Sequence, residues 1–66
     1  MNITVNGNPE EIQAGENLKG YLERKGIAPG RVVCELNEKV IRRSDLDQTH
    51  LKNKDTLEII TMMGGG

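Results

Sequence analysis

Apolar and polar residues alternate over residues 1–5, with the period of two that is typical of a half-buried strand. Asn6-Gly7 follows, and both residues tolerate the positive φ that a two-residue hairpin turn requires. The pattern therefore predicts a hairpin whose second strand covers residues 10–13, with Ile12 facing the core.

The next segment changes to the spacing of a helix. Leu18, Tyr21 and Leu22 recur at i, i+3 and i+4, which places them on one face. Asn17 is suited to the N-cap, and Gly26 is suited to the position just after the last turn. We therefore predict one helix between these two residues, with the Tyr21 hydroxyl in water.

Alternation returns over residues 31–36, which predicts a strand with Cys34 on its apolar face. Asn37-Glu38 is expected to turn the chain into a short strand over residues 39–42. Ser44 is then expected to cap a brief helical turn in an otherwise polar stretch.

The most apolar strand comes last, over residues 56–62. Because buried strands are nearly continuously apolar, we expect it at the centre of the sheet, beside and parallel to the first strand. One helix cannot bury its apolar stripe alone, so it should pack across the sheet. The predicted fold class is therefore α+β, with one main helix on a mixed five-stranded sheet, some of whose strands are short.

The composition restricts the function of this 66-residue chain. A domain of this size has no room for a deep pocket, which favours a module that acts through partners. Nine Lys and Arg residues balance ten Asp and Glu residues, and the only aromatic residue is one Tyr. Nucleic acid is thus an unexpected partner, because binding it needs a basic face and usually aromatic platforms.

The cellular setting follows from the cysteine content and the hydropathy. A lone cysteine, Cys34, cannot form an internal disulfide, and small secreted domains usually carry several. The sequence contains neither an apolar signal segment nor a run long enough to span a membrane. We therefore expect a cytoplasmic protein that is monomeric when free.

Three glycines, Gly64, Gly65 and Gly66, follow the apolar last strand. Glycine lacks Cβ, so this segment, here called the glycine tail, is expected to be flexible and to fit a narrow channel. From Met63 an extended tail reaches roughly 13 Å, enough to place the α-carboxylate of Gly66 in a partner's active site. We therefore expect residues 1–63 to form the folded domain and residues 64–66 the working tail.

Three parts of the sequence together resemble the ThiS family. They are the hairpin at Asn6-Gly7, the segment VVCELNEKVI at residues 32–41, and the segment DTLEII at residues 55–60 before the glycine tail. That family contains the sulfur carrier proteins of thiazole and thiamine biosynthesis, and its fold is the ubiquitin-like β-grasp. The chain differs from the usual family pattern at Arg42, Leu46 and Lys54-Asp55, which we expect to lie in surface turns.

The resemblance implies a function for the terminus. An ATP-dependent, ThiF-like enzyme would adenylate the Gly66 carboxylate, and sulfur from a donor such as a cysteine desulfurase would convert it to a thiocarboxylate. A ThiG-like thiazole synthase would then receive the sulfur. The chain would be a carrier and co-substrate, not an enzyme; it would bind no cofactor or metal, while its activating partner would use ATP and Mg²⁺.

Other residues are assigned from the strand pattern. If Leu57 faces the helix, Ile60 and Met62 lie on the opposite face and, with Met63, form the expected docking surface for partners. Cys34 should be an inert core residue. His50 is expected to be a solvated loop residue.

Two alternatives stay open at this point. A sister β-grasp carrier or ubiquitin-like modifier, serving molybdopterin synthesis, tRNA thiolation or protein tagging, would have a similar sequence. A passive β-grasp binding module would also fit the fold, but it gives no reason for the glycine tail.

Overall fold

A computed structural model describes residues 1–62 of the chain. The predicted docking residue Met63 and the glycine tail, together with the predicted domain boundary between them, lie outside the described residues. Within residues 1–62 the elements follow in chain order: β1 (Asn2–Val5), β2 (Asn8–Glu11), α1 (Leu18–Arg24), a first 3₁₀ helix (Pro29–Arg31), β3 (Val32–Leu36), β4 (Lys39–Ile41), a second 3₁₀ helix (Arg43–Gln48) and β5 (Thr56–Thr61).

The strands of residues 1–62 form one mixed sheet in the order β2-β1-β5-β3-β4. The first and last strands are parallel neighbours, with Thr4 opposite Thr56 and Val5 opposite Leu57. The other neighbouring pairs are antiparallel. The predicted central position of the last strand and its parallel pairing with the first are therefore confirmed.

The first hairpin turns over Asn6-Gly7, whose φ angles are +49° and +84°. Positive φ at both positions matches the right-handed twist of the flanking strands, as predicted. Because the loop has only two residues, Val5 pairs with Asn8 and β2 begins there. The predicted start at residue 10 was therefore wrong, and Ile12 is buried one residue beyond the end of β2.

Both ends of α1 are closed by hydrogen bonds. The Asn17 side chain accepts a hydrogen bond of 2.7 Å from the backbone N–H of Gly20. At the other end Gly26 has a φ of +76°, and the N–H of Ile27 donates to the carbonyl of Leu22 at 2.8 Å. This backbone pattern is a Schellman cap, which ends the helix at the predicted glycine.

The core lies between α1 and one face of the sheet. Cys34 belongs to it, and burial raises the pKa of its thiol, which agrees with the predicted inert role. Leu46 and Leu51 are also buried, so the sequence prediction that they anchor the polar stretch after β4 is confirmed, whereas the expected position of Leu46 in a surface turn was wrong. The buried apolar side chains are Ile3, Val5, Ile12, Leu18, Tyr21, Leu22, Cys34, Leu46, Leu51 and Leu57.

Two further sequence predictions were wrong. Ser44 lies inside the second 3₁₀ helix, whose N-cap position is Arg42, without a side-chain cap. The Tyr21 hydroxyl does not face water: the residue is 1% exposed, and its hydroxyl donates to Glu10 Oε1 at 2.8 Å. The apolar stripe predicted that the ring is buried but could not show which acceptor β2 places beside it.

The expectation that Lys54-Asp55 forms an exposed turn was wrong for Asp55. It is 8% exposed, and its carboxylate accepts hydrogen bonds from the Lys52 N–H at 2.7 Å and from Asn37 Nδ2 at 2.9 Å. Asn37 Oδ1 in turn accepts from the Thr56 N–H at 2.9 Å. This network joins the β3–β4 turn to the start of β5.

Replacing Asp55 should therefore destabilise the fold. Asp55→Ala removes a buried acceptor and leaves the part-buried donors of Lys52 and Asn37 without their partner, so we expect a loss of about 2 kcal/mol in the free energy of unfolding. Urea unfolding measures it. The exposed Asp47→Ala serves as control and should change the value by less than about 0.5 kcal/mol; an equally small change for Asp55→Ala would contradict the network's role.

The titration of Tyr21 tests whether its hydroxyl is buried. Burial, and then the hydrogen bond to Glu10, raise the pKa of Tyr21 above its usual value of about 10. The resulting contribution of Tyr21 to the free energy of unfolding is complete below the pKa that Tyr21 has in the unfolded chain. It is lost as the pH rises towards the pKa of Tyr21 in the folded protein.

Because the chain has a single Tyr, its absorbance reports this residue alone. We expect the native protein to form tyrosinate at clearly higher pH than the protein in urea. Tyr21→Phe should lack this contribution to the alkaline pH dependence of stability. Coincident native and urea titrations would contradict the burial of the hydroxyl.

Candidate functional site

The sheet has one covered face and one open face. Leu57 of β5 is fully buried towards α1, and strand alternation therefore directs Glu58, Ile60 and Met62 the other way. We call this uncovered side of the sheet the open face. Alternation and register add residues from the neighbouring strands, namely Val33 and Glu35 from β3 and Val40 from β4.

Four apolar side chains lie together on the open face, and we call them the apolar strip: Val33, Val40, Ile60 and Met62. Val33 is directly opposite Ile60 across the β3–β5 pair. Ile60 and Met62 are each 50% exposed and Val40 is 62% exposed. The structure thus places the predicted residues Ile60 and Met62 at the surface, while their role in docking stays a prediction.

Val33 and Val40 were missed by the sequence prediction of the docking surface. The signal was present, because alternation around the core residue Cys34 sends Val33 to the opposite side. For Val40 the necessary fact was the register of the β3–β4 hairpin, which pairs it with Glu35. That register brings both valines beside the predicted pair from β5.

Charged side chains border the apolar strip. Glu35 and Glu58 are direct cross-strand partners on the open face, an arrangement of like charges that is unfavourable. Arg42 follows β4 in extended conformation, beside Val33 by continuation of the register and diagonal to Glu35. Arg31 lies opposite Met62, whose N–H donates to the Arg31 carbonyl at 3.0 Å.

Hydrogen bonds hold β5 on both edges up to its end. On the β1 side the side chain of Asn6 acts as a strand residue: its Oδ1 accepts from the Ile59 N–H at 2.7 Å, and its Nδ2 donates to the Ile59 carbonyl at 3.4 Å. On the β3 side the Met62 N–H is bonded to Arg31. The backbone is thereby fixed up to Met62, the last described residue.

Outside the open face, residues 1–62 include an exposed histidine and an open groove. These residues contain no cluster of three or more His, Cys, Asp and Glu side chains that could hold a metal ion. His50 is exposed in the loop after the second 3₁₀ helix, as predicted. An open groove between α1 and the 3₁₀ helices contains neither His nor Cys; it is lined by Lys19, Pro29, Arg43, Ser44, Leu46 and Asp47.

The one α-helix of the described chain is too short to cross a membrane.

The sequence matches the family model of the ThiS family over residues 3–66, and therefore through the glycine tail. A solved structure of the thiamine biosynthesis protein ThiS from Geobacter metallireducens superposes with a TM-score of 0.87 at 36% sequence identity. That match covers 100% of both chains. The structural match confirms the expected ubiquitin-like β-grasp arrangement.

Two curated relatives differ in length. The chain is 30% identical to the sulfur carrier protein ThiS of Thermus thermophilus, over 97% of this chain and 98% of that protein. It is 36% identical over its whole length to a thiazole synthase of Magnetococcus marinus, but it spans only 20% of that protein. With the family match over almost all of the sequence, these findings show that the chain belongs to the ThiS family.

Proposed function

We propose that this chain is a sulfur carrier of thiamine biosynthesis, which transports sulfur as a thiocarboxylate on Gly66 and donates it for thiazole synthesis. The observation that carries the proposal is the family match through residue 66, because it includes the glycine tail as well as the folded domain. The similarity to the sulfur carrier protein ThiS of Thermus thermophilus supports it.

The chemistry requires activation of the carboxylate. A carboxylate resists nucleophiles, because its charge is delocalised over two oxygens and oxide is a poor leaving group. Transfer of AMP from ATP to the carboxylate releases pyrophosphate and forms an acyl-adenylate. Hydrosulfide can then attack the carbonyl carbon of this adenylate. AMP then leaves and a thiocarboxylate remains, without net oxidation or reduction. If a persulfide attacks instead, a second thiol must cleave the resulting S–S bond and becomes oxidised in that step.

The partners would supply the catalytic groups. We propose that a ThiF-like adenylating enzyme binds ATP and Mg²⁺ and stabilises the charge that develops on the phosphates. A cysteine desulfurase would be the sulfur donor. The described residues support a carrier role, because their exposed apolar strip beside the hydrogen-bonded strand β5 suits docking to a partner.

Thiazole synthase is the proposed acceptor of the sulfur. The Magnetococcus marinus protein of that name contains a region similar to this whole chain, which supports a functional link between carrier and synthase. We expect the chain to act in the cytoplasm, where Cys34 stays reduced.

Intact-mass spectrometry tests the carrier chemistry. The purified natural protein, incubated with the cognate adenylating enzyme, ATP, Mg²⁺ and a hydrosulfide donor, should gain the mass difference between sulfur and oxygen. The same spectra establish where the natural chain ends. Omitting ATP should abolish the gain, because hydrosulfide cannot displace oxide from an unactivated carboxylate.

Two variants locate the sulfur in that experiment. Deletion of Gly66 should abolish the mass gain while the domain stays folded, because the carboxylate would no longer reach the partner's reacting groups. Cys34→Ala removes the lone thiol and should retain the gain, although a core cavity will lower stability. A mass gain that depends on Cys34 but not on Gly66 would contradict the proposal.

The docking role of the apolar strip has its own test. Ile60→Asp places a charge at the centre of an interface that should be apolar, so we expect at least about a tenfold loss of affinity for the adenylating enzyme. Titration calorimetry measures the affinity. Gln13→Asp adds the same charge at an exposed loop position elsewhere and is the matched control. Equal affinities for the two variants would exclude Ile60 from the interface.

A further inference from the structure

We propose that Asn6 is a site of chemical modification, at which the side-chain amide is lost through a succinimide. We propose further that the hydrogen bonds from this side chain to Ile59 keep the reaction slow in the folded protein. The product is aspartate or isoaspartate at position 6. The inference goes beyond the proposed function, since it concerns a reaction of the first hairpin turn with water.

The Asn6-Gly7 peptide has the composition that this reaction needs. The backbone nitrogen of Gly7 must attack Cγ of Asn6, and glycine has no side chain to shield that nitrogen. The turn is also open, because Asn6 is exposed and no atom beyond the chain neighbours of Gly7 lies within 4 Å of the position that a Cβ would take there. Each other asparagine precedes proline or a residue with a larger side chain. Asn6 is therefore the asparagine at which ring closure is least hindered.

The reaction consumes water and releases ammonia. The Gly7 nitrogen bonds to Cγ of Asn6, and the bond from Cγ to Nδ2 breaks. Nδ2 then leaves as ammonia with the proton of the attacking nitrogen, and a succinimide remains. Water opens this ring: cleavage between the nitrogen and Cγ gives aspartate, whereas cleavage between the nitrogen and the backbone carbonyl carbon gives isoaspartate, whose main chain is longer by one methylene. No group is oxidised or reduced.

Hydrogen bonds hold Asn6 against β5. Its N–H donates to the Leu57 carbonyl at 2.9 Å, its Oδ1 accepts from the Ile59 N–H at 2.7 Å, and its Nδ2 donates to the Ile59 carbonyl at 3.4 Å. Hydrogen bonds to an amide lie near its plane, so the edge of the Asn6 amide is turned towards Ile59. Attack on Cγ comes from above that plane and makes Cγ tetrahedral, which turns Oδ1 and Nδ2 away from Ile59. Ring closure therefore requires the end of the β1–β5 contact to open.

Both products weaken the attachment of β5 to the first hairpin. A carboxylate accepts hydrogen bonds but donates none, so aspartate loses the bond to the Ile59 carbonyl and brings an oxygen against it. Isoaspartate lengthens a loop of only two residues, whose length fixes the pairing of Val5 with Asn8. In the described chain the end of β5 is then held through its pairing with β3.

Peptide mapping by mass spectrometry tests whether folding controls the reaction. The purified protein is incubated at mildly alkaline pH, either native or unfolded in guanidinium chloride, and replacement of the amide NH₂ by OH is measured at position 6. We expect conversion to be at least about tenfold faster in the unfolded chain, because the native rate follows the fraction of molecules in which the end of β5 is open. Gly7→Ala in guanidinium chloride is the control and should convert more slowly, since its methyl group shields the attacking nitrogen.

Three results of this experiment would overturn the proposal. Equal rates in the native and unfolded protein would show that the hydrogen bonds to Ile59 give no protection. Absence of conversion at Asn6 in the unfolded chain, or faster conversion at another asparagine, would show that Asn6 is not the reactive position.

Asn6→Gly separates the side-chain hydrogen bonds from the turn. Glycine accepts the φ of +49° at this position but has no side chain to bond Ile59. We expect the Ile59 amide to exchange with solvent at least about tenfold faster than in the wild type. The Ile60 amide, which alternation directs towards Val33, is the internal control and should stay within about twofold. Unchanged exchange at Ile59 would contradict the role of the Asn6 side chain in holding β5.

The isoaspartate form tests the structural consequence. It is prepared in guanidinium chloride, separated by chromatography and refolded. We expect the midpoint of its urea unfolding to lie below that of the wild type, because the longer loop strains the pairing of β1 with β2 and the contact with Ile59 is lost. Failure to refold would be the same loss of stability in a stronger form, whereas a midpoint equal to that of the wild type would refute the predicted weakening.

Discussion

The parallel pairing of β1 with β5 is the constraint on which the rest of the structure depends. It places Leu57 against α1 with no exposed surface and so assigns each residue of β5 to one of the two faces. A shift of the register by one residue would bring Ile60 into the core and Leu57 to the surface. The apolar strip is thus a consequence of how the core is built.

The hydrogen bonds around β5 maintain that assignment at both ends of the strand. At its start, buried Asp55 and the Asn37 side chain connect it to the β3–β4 turn. Near its end the Asn6 side chain takes the place of a further β1 residue. Polar side chains form these connections, and a domain of this size has only a small core. Single substitutions of these side chains should therefore lower the free energy of unfolding by a large fraction of its total.

Much of this architecture could be predicted from the sequence, because its signals are local. Strand alternation, the Asn6-Gly7 turn, and the cap residues Asn17 and Gly26 each predict structure from a few neighbouring residues. These predictions were confirmed, apart from the start of β2, which lies at Asn8 and not at residue 10. Ile60 and Met62 were likewise placed at the surface by alternation on one strand. The glycine tail was evident in the sequence but lies outside the described residues.

What the sequence could not provide depends on contacts between distant segments. The hydrogen bond from Tyr21 to Glu10 and the burial of Asp55 require knowledge of which elements pack together. The same holds for the pairing of Glu35 with Glu58, since they belong to strands that are not consecutive in the chain and only the β3–β5 register makes them neighbours.

The central claim is that partners act on the open face at the end of β5, while the opposite side of the domain keeps its contacts with solvent. Methyl NMR spectra of the isotopically labelled chain, titrated with unlabelled thiazole synthase, test it most directly. We predict that the methyl signals of Val33, Val40 and Ile60 shift or broaden, whereas those of Ala14 and Ala28, in the loops before and after α1, stay unchanged. Changes confined to the two alanines would contradict the account.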